Sequence, residues 1–225
     1  MKAPIAVALD APNLEVATKW ASATAPFVDT LKVGLETYLR DGADAIAMVK
    51  NTDARLFLDL KLHDIPNTVA GAARSVARFA PDFLTVHASG GSAMISAAAE
   101  ALPQTRITAV TILTSLTPED LKAIGYVGEP IEAVTRLAKL SVDAGARAIV
   151  CSPMEVAAVR AVVPADITLI TPGVRPIGAD AGDQARVATP QQAIADGANL
   201  VVIGRPITGA ADVAHAAREI GASLL

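Results

Sequence analysis

"RLFLDLKLHDIPNT", residues 55–68, begins like a buried strand and ends in charge. Side chains of an extended chain alternate between two faces. Leu56, Leu58 and Leu60 therefore share one face, and Phe57, Asp59 and Lys61 share the other. The leucine face suits a covering layer of helices. The opposite face carries an aspartate and a lysine at the C-terminal end of an apolar run. Asp64 follows, and Pro66 then stands where a helix accepts proline, at its first turn. A buried ionised group without a partner is strongly destabilising, so these charges must face one another or a ligand. One Asp-x-Lys alone is an ordinary strand-end ion pair. Its meaning depends on what the rest of the chain brings to the same place.

Outward from this stretch the same pattern repeats. Strand candidates lie at 5–10, 30–34, 55–61, 83–88, 107–113, 148–152, 168–173 and 200–204, each followed by an Ala-rich segment of helical periodicity. Units of roughly 28 residues have the length of a strand-helix-strand repeat. Eight of them predict an α/β fold, a single (β/α)8 TIM barrel spanning residues 1–225. A doubly wound open sheet is the alternative, but no Gly-x-Gly-x-x-Gly follows the first strand.

The parity of strand three extends to its neighbours. Ala6, Ala8 and Asp10 share a face in strand one, and Lys32 points the same way between Leu31 and Val33 in strand two. Asp10, Lys32, Asp59 and Lys61 then converge on the C-terminal mouth of the barrel, where this fold keeps its active sites. Structural needs alone seldom gather so many charges at one point.

A second group lies late in the chain. "TPGVR" (171–175) and "IGRP" (203–206) end strands seven and eight, between which barrels often bind phosphate. Gly173 and Gly204 permit close backbone approach, and Arg175 and Arg205 can make charge-assisted contacts. The Gly- and Pro-rich segment 172–190 between them is long for a compact domain, and such loops are often lids.

The composition narrows the partners. With 52% hydrophobic and 19% charged residues the chain should fold around a large core. A net charge of −4 and 3% aromatics leave no basic or base-stacking surface for nucleic acid. The longest apolar runs are too short to span a membrane, and "MKAPIAVALD" is not expected to act as a signal peptide. A lone cysteine, Cys151, cannot form an internal disulfide and fits a cytoplasmic protein. It reads as packing, and Trp20 and Met48 read as core or interface residues. His63 could bond within its own loop, His87 reads as a core or supporting residue, and His215 as solvated; the three lack metal-ligand spacing.

"DLKLHDIPNT" (59–68) resembles the signature of the orotidine 5′-phosphate decarboxylase family. "ALD" (8–10), "LKVG" (31–34), "TPGVRP" (171–176), "GDQAR" (182–186) and "VIGRPIT" (202–208) are similar to further motifs of that family, in the same order. The resemblance runs over nearly the whole chain and is closest to the bacterial branch. It implies a TIM barrel that converts orotidine 5′-monophosphate to uridine 5′-monophosphate with no cofactor and no metal. It assigns Asp59, Lys61, Asp64 and Lys32 to the catalytic network, with Lys61 as proton donor. Asp10 and Lys32 would bind the ribose region, and Thr114 would lie near the pyrimidine, with Ser115 as the alternative. Gln184 would bridge base and phosphate from a mobile closing loop at about 174–188, and Arg175, Gly204 and Arg205 would hold the phosphate. A homodimer is implied, with Asp64 and Thr68 crossing into the neighbouring site. A magnesium-dependent sugar-phosphate decarboxylase or epimerase of the same barrel group shares the Asp-x-Lys-x-x-Asp core. It needs an acidic residue at the end of strand two, where this chain has Lys32. A regulatory barrel that only binds a phosphorylated ligand would not need the acid–lysine network.

Overall fold

The computed structural model describes residues 1–176 and 188–225. Eight parallel strands pair in chain order and close on themselves: β1 (Ala3–Ala8), β2 (Val28–Gly34), β3 (Arg55–Leu62), β4 (Phe83–His87), β5 (Arg106–Val110), β6 (Ala148–Val150), β7 (Thr168–Thr171) and β8 (Leu200–Ile203). The helices outside them are α1 (Leu14–Thr24), α2 (Leu35–Asp41), α3 (Ala43–Lys50), α4 (Pro66–Val76), α5 (Ser92–Ala101), α6 (Pro118–Ala123), α7 (Pro130–Asp143), α8 (Val156–Val162), α9 (Pro190–Ala195), α10 (Arg205–Thr208) and α11 (Val213–Ala222). This is the expected (β/α)8 barrel.

Strand alternation divides the core in two. Ala6, Phe57, Phe83, Ala148, Ile170 and Leu200 fill the barrel interior, and the Phe57 and Phe83 rings meet at 5.6 Å between centroids. The intervening residues, among them Leu31, Val33, Leu56 and Leu58, pack outward beneath the helices. Interior and exterior are thus separated by a one-residue step, and a slip of register would exchange them.

Several features of the chain differ from the simplest reading. β1 ends at Ala8, so Asp10 lies beyond the strand rather than in it. β5 ends at Val110 rather than at 113, so Thr114 sits further into the following loop. The β2–β3 crossover holds two helices, because Gly42 takes a positive φ of 56° and interrupts the helical run between them. Elsewhere the local signals act as expected. Asn13 caps α1 by accepting from the Val16 N–H at 2.9 Å, and Pro66 occupies the first turn of α4. Among the described residues, no helix is long and apolar enough to cross a membrane.

Candidate active site

A cavity of about 560 Å³ opens at the C-terminal ends of the strands. Asp10, Lys32, Asp59 and Lys61 line one side of it. Arg175, Gly204 and Arg205 line another, and Thr114 also faces it. Its apolar lining includes Phe57, Val110, Ile112 and Val150. Convergent charges on an otherwise apolar wall are the usual make-up of a small-molecule site.

Asp59 is the hub. Lys61 Nζ donates to its Oδ1 at 2.8 Å, and Lys32 Nζ stands 3.2 Å from its Oδ2. Lys32 also approaches Asp10 Oδ2 at 3.7 Å. Both Lys32 and Asp59 are buried, at 7% exposure each. Burial by itself would raise the Asp59 pKa, but the two ammonium groups outweigh it and hold the carboxyl at about 2. For Lys32, burial opposes the charge, while Asp59 and then Asp10 oppose burial and raise its pKa. Lys32 and Asp59 are therefore both ionised across the neutral range.

Backbone geometry makes this crowding possible. Lys61 has a φ of 49°, a left-handed conformation unusual for a residue with a side chain. Gly34 closes β2 beside the Asp10–Lys32 pair. A Cβ there would lie 2.6 Å from Asp10 Oδ1 and 2.8 Å from Lys32 Nζ, so only glycine leaves the pair its space.

After β8, which pairs with β1, Gly204 precedes α10 and Arg205 is its first residue. Arg205 is exposed at the rim and Arg175 is buried. The Arg175 backbone N–H donates to the Ala188 carbonyl at 2.9 Å, tying the two ends of the long β7–α9 segment together. Gln184 and most of the expected closing loop lie outside the described residues. Thr208 also lines the cavity, and sequence reading did not single it out. Its signal is its position one turn after Gly204 in a helix that begins at the site.

Asp64 and Thr68 behave differently. Neither lines the cavity of its own chain. Both are exposed at the head of α4, beside Ile65, which leaves 66% of its surface in solvent. Asp64 Oδ1 accepts from the Ile65 N–H at 2.7 Å. Ser115, unlike Thr114, is not part of the cavity wall.

The remaining candidates have structural surroundings. The His63 and His87 rings lie 5.3 Å apart, and burial followed by His63 and Lys61 lowers the His87 pKa, keeping it neutral at pH 7. Burial pushes the Cys151 thiol up to about 12, so it packs and does not react. His215 is exposed on α11. Among the described residues, no three His, Cys, Asp or Glu side chains gather as a metal ion would require.

Comparison with known proteins shows the family. The family model described as "Orotidine 5'-phosphate decarboxylase / HUMPS family" matches residues 3–220. An orotidine 5′-phosphate decarboxylase of Thermobifida fusca is 64% identical over 225 residues, covering 100% of this chain and 97% of that protein. One from Frankia casuarinae is 52% identical, covering 99% of this chain and 88% of its own. A crystal structure of orotidine 5′-phosphate decarboxylase from Lactobacillus acidophilus superposes with a TM-score of 0.87 at 35% identity, covering 99% of each chain. A match that begins in β1 and ends in α11 takes in every strand of the barrel and both sides of the cavity, and the chain belongs to the orotidine 5′-phosphate decarboxylase / HUMPS family.

Proposed function

We propose that the protein decarboxylates orotidine 5′-monophosphate to uridine 5′-monophosphate, without metal or cofactor. The observation that carries this reading is the Asp10–Lys32–Asp59–Lys61 chain of charges facing Arg175 and Arg205 across one cavity. The substrate offers matching groups, a carboxylate on C6 of the ring at one end and a phosphate at the other.

Loss of CO2 breaks the C6–carboxylate bond and leaves its electron pair on C6, where no resonance sink accepts it. The protein must therefore stabilise the developing charge with groups already in place. The Lys61 ammonium lies beside C6, opposes that charge and delivers the proton, which solvent then restores. Asp59 stands next to the substrate carboxylate, and their repulsion is relieved as neutral CO2 departs. Lys32 and Asp10 keep Asp59 and Lys61 oriented and contact the ribose. Arg175, Gly204 and Arg205 hold the phosphate, Thr114 faces the pyrimidine, and Gln184 joins base to phosphate as segment 174–188 closes. Binding energy from the distant phosphate is then available to orient the ring. One barrel domain carries all of this, and a homodimer completes it, with Asp64 and Thr68 supplied by the neighbour. The exposure of both residues, outside their own cavity, supports that role.

The family name covers a second class of reaction, and Lys32 argues against a metal-dependent member of it. Its ammonium stands between two carboxylates, where a divalent ion would otherwise find its ligands. The test is the fall in orotidylate absorbance on decarboxylation, measured with and without a chelator. Equal rates are expected. Activity lost to chelator and restored by magnesium would reject the metal-free mechanism.

A further inference from the structure

The β3–β4 ladder is irregular where the charges sit. Leu58 pairs with Leu84 and Leu62 with Val86, so four steps along β3 match only two along β4. The extra length is a bulge through Asp59, Leu60 and Lys61, and it contains the left-handed Lys61. A bulge takes a backbone N–H out of the regular ladder, and a buried N–H without a partner is destabilising. Here the Lys61 N–H donates to a side chain instead, Thr85 Oγ1, at 2.8 Å. The same hydroxyl donates its own proton to Asp59 Oδ1 at 3.0 Å. That oxygen is the one that accepts from Lys61 Nζ. Thr85 is fully buried within β4 and in register with Thr108 of β5, and a β-branched side chain has little χ1 freedom.

We infer that Thr85 is a positioning residue, whose single hydroxyl holds the Lys61 backbone in its left-handed conformation and the Asp59 carboxylate in its rotamer at once. The inference rests on the proposed reading of Asp59 and Lys61 as the reacting pair. Thr85 does not line the cavity and acts only through its two neighbours. The geometry closes a small ring: Lys61 ammonium to Asp59, Asp59 to the Thr85 hydroxyl, and that hydroxyl to the Lys61 amide. Without the hydroxyl, the bulge keeps its length but loses the link between its backbone and its charge. Binding of the phosphate end, on the far strands, is untouched.

The test compares Thr85→Ser, Thr85→Cys and Thr85→Val in single-turnover decarboxylation of orotidylate, with KM measured alongside. Serine keeps the donor and acceptor, cysteine has a weak form of both, and valine keeps the shape alone. A hydrogen bond to a charged group is worth enough to change a rate by about tenfold or more. The valine variant should lose about that factor in the chemical step with KM within about threefold of wild type. Serine should recover most of the rate, and cysteine should fall between. Should the valine variant not fold, the gap between serine and cysteine decides. Hydrogen exchange at the Lys61 amide supplies a readout independent of turnover: it should accelerate as the hydroxyl is weakened and stay slow with serine. Active wild type with a valine variant within twofold of its rate, a serine variant as slow as valine, or a loss wholly in KM would overturn the Thr85 assignment alone. A wild-type protein inert toward orotidylate would overturn the proposed function, and this is read before any variant.

Discussion

The proposed function gives Lys61 and Asp59 separate jobs that experiment can separate. In the proposed reaction Lys61 supplies both the charge opposite C6 and the proton, so Lys61→Ala should lower turnover by many orders of magnitude. The fold should persist, because the side chain ends in the cavity at the barrel mouth. A variant with a tenth of normal turnover would remove Lys61 from the donor role. Asp59 also contributes to stability. Its folded pKa, about 2, is below the ordinary carboxylate value, so its contribution is present above that ordinary value, near pH 4, and lost as pH falls toward 2. Lys32 is shifted upward, so its contribution is present below the ordinary lysine value and lost as pH rises through its higher folded one. Urea midpoints of wild type and Asp59→Asn should therefore differ most between about pH 5 and 9, and the gap should narrow from pH 4 to pH 2. A gap that stays constant down to pH 2 would show that Asp59 is not held ionised by its neighbours.

At the level of the element, strand ends do the positioning. β2 delivers Lys32 from inside the barrel and stops two residues later at Gly34, whose missing side chain leaves room for the Asp10–Lys32 pair. Gly34 has an ordinary φ of −90°, so alanine brings no backbone strain there. The atoms that its Cβ would meet are the ends of two side chains and not backbone. Gly34→Ala should accordingly cost less than about 1 kcal/mol of stability but displace Asp10 and Lys32, lowering kcat/KM by about tenfold or more. Thermal unfolding and steady-state kinetics on the same sample check this. A large fall in melting temperature with activity retained would contradict it. α4 makes a complementary case: Pro66 sets its first turn, and that start leaves Asp64 and Thr68 at an exposed helix head.

The whole molecule raises the question of what those two residues face. In the proposed two-fold dimer each site takes Lys61 from one chain and Asp64 from the other. Lys61→Ala and Asp64→Ala homodimers should each be nearly inactive. When subunits exchange, about half of the dimers are mixed, and in each mixed dimer one site collects both defects while the other has neither. Activity should return to about a quarter of wild type. Proven exchange with no recovery would mean that Asp64 serves its own chain.

Strand alternation made much of this molecule legible from sequence. The leucines of 55–62 and the charges between them already separate the outer layer from the mouth of the barrel, because a period of two leaves a side chain only two directions. The eight repeats, the convergence of Asp10, Lys32, Asp59 and Lys61, and the glycine–arginine pairs after β7 and β8 followed from that rule and from local turn chemistry. Thr85 was hidden by its ordinariness: an inward-facing threonine in an apolar strand carries no motif. Its importance arises only when the β3 bulge brings the Lys61 amide and the Asp59 carboxylate to the same hydroxyl. The space over Gly34 and the burial that shifts Asp59 and Lys32 arise in the same way, from residues far apart in the chain meeting. Periodicity and turn preference are properties of neighbours along the sequence. Register, close approach and desolvation are properties of neighbours in space, and only the closed barrel supplies those.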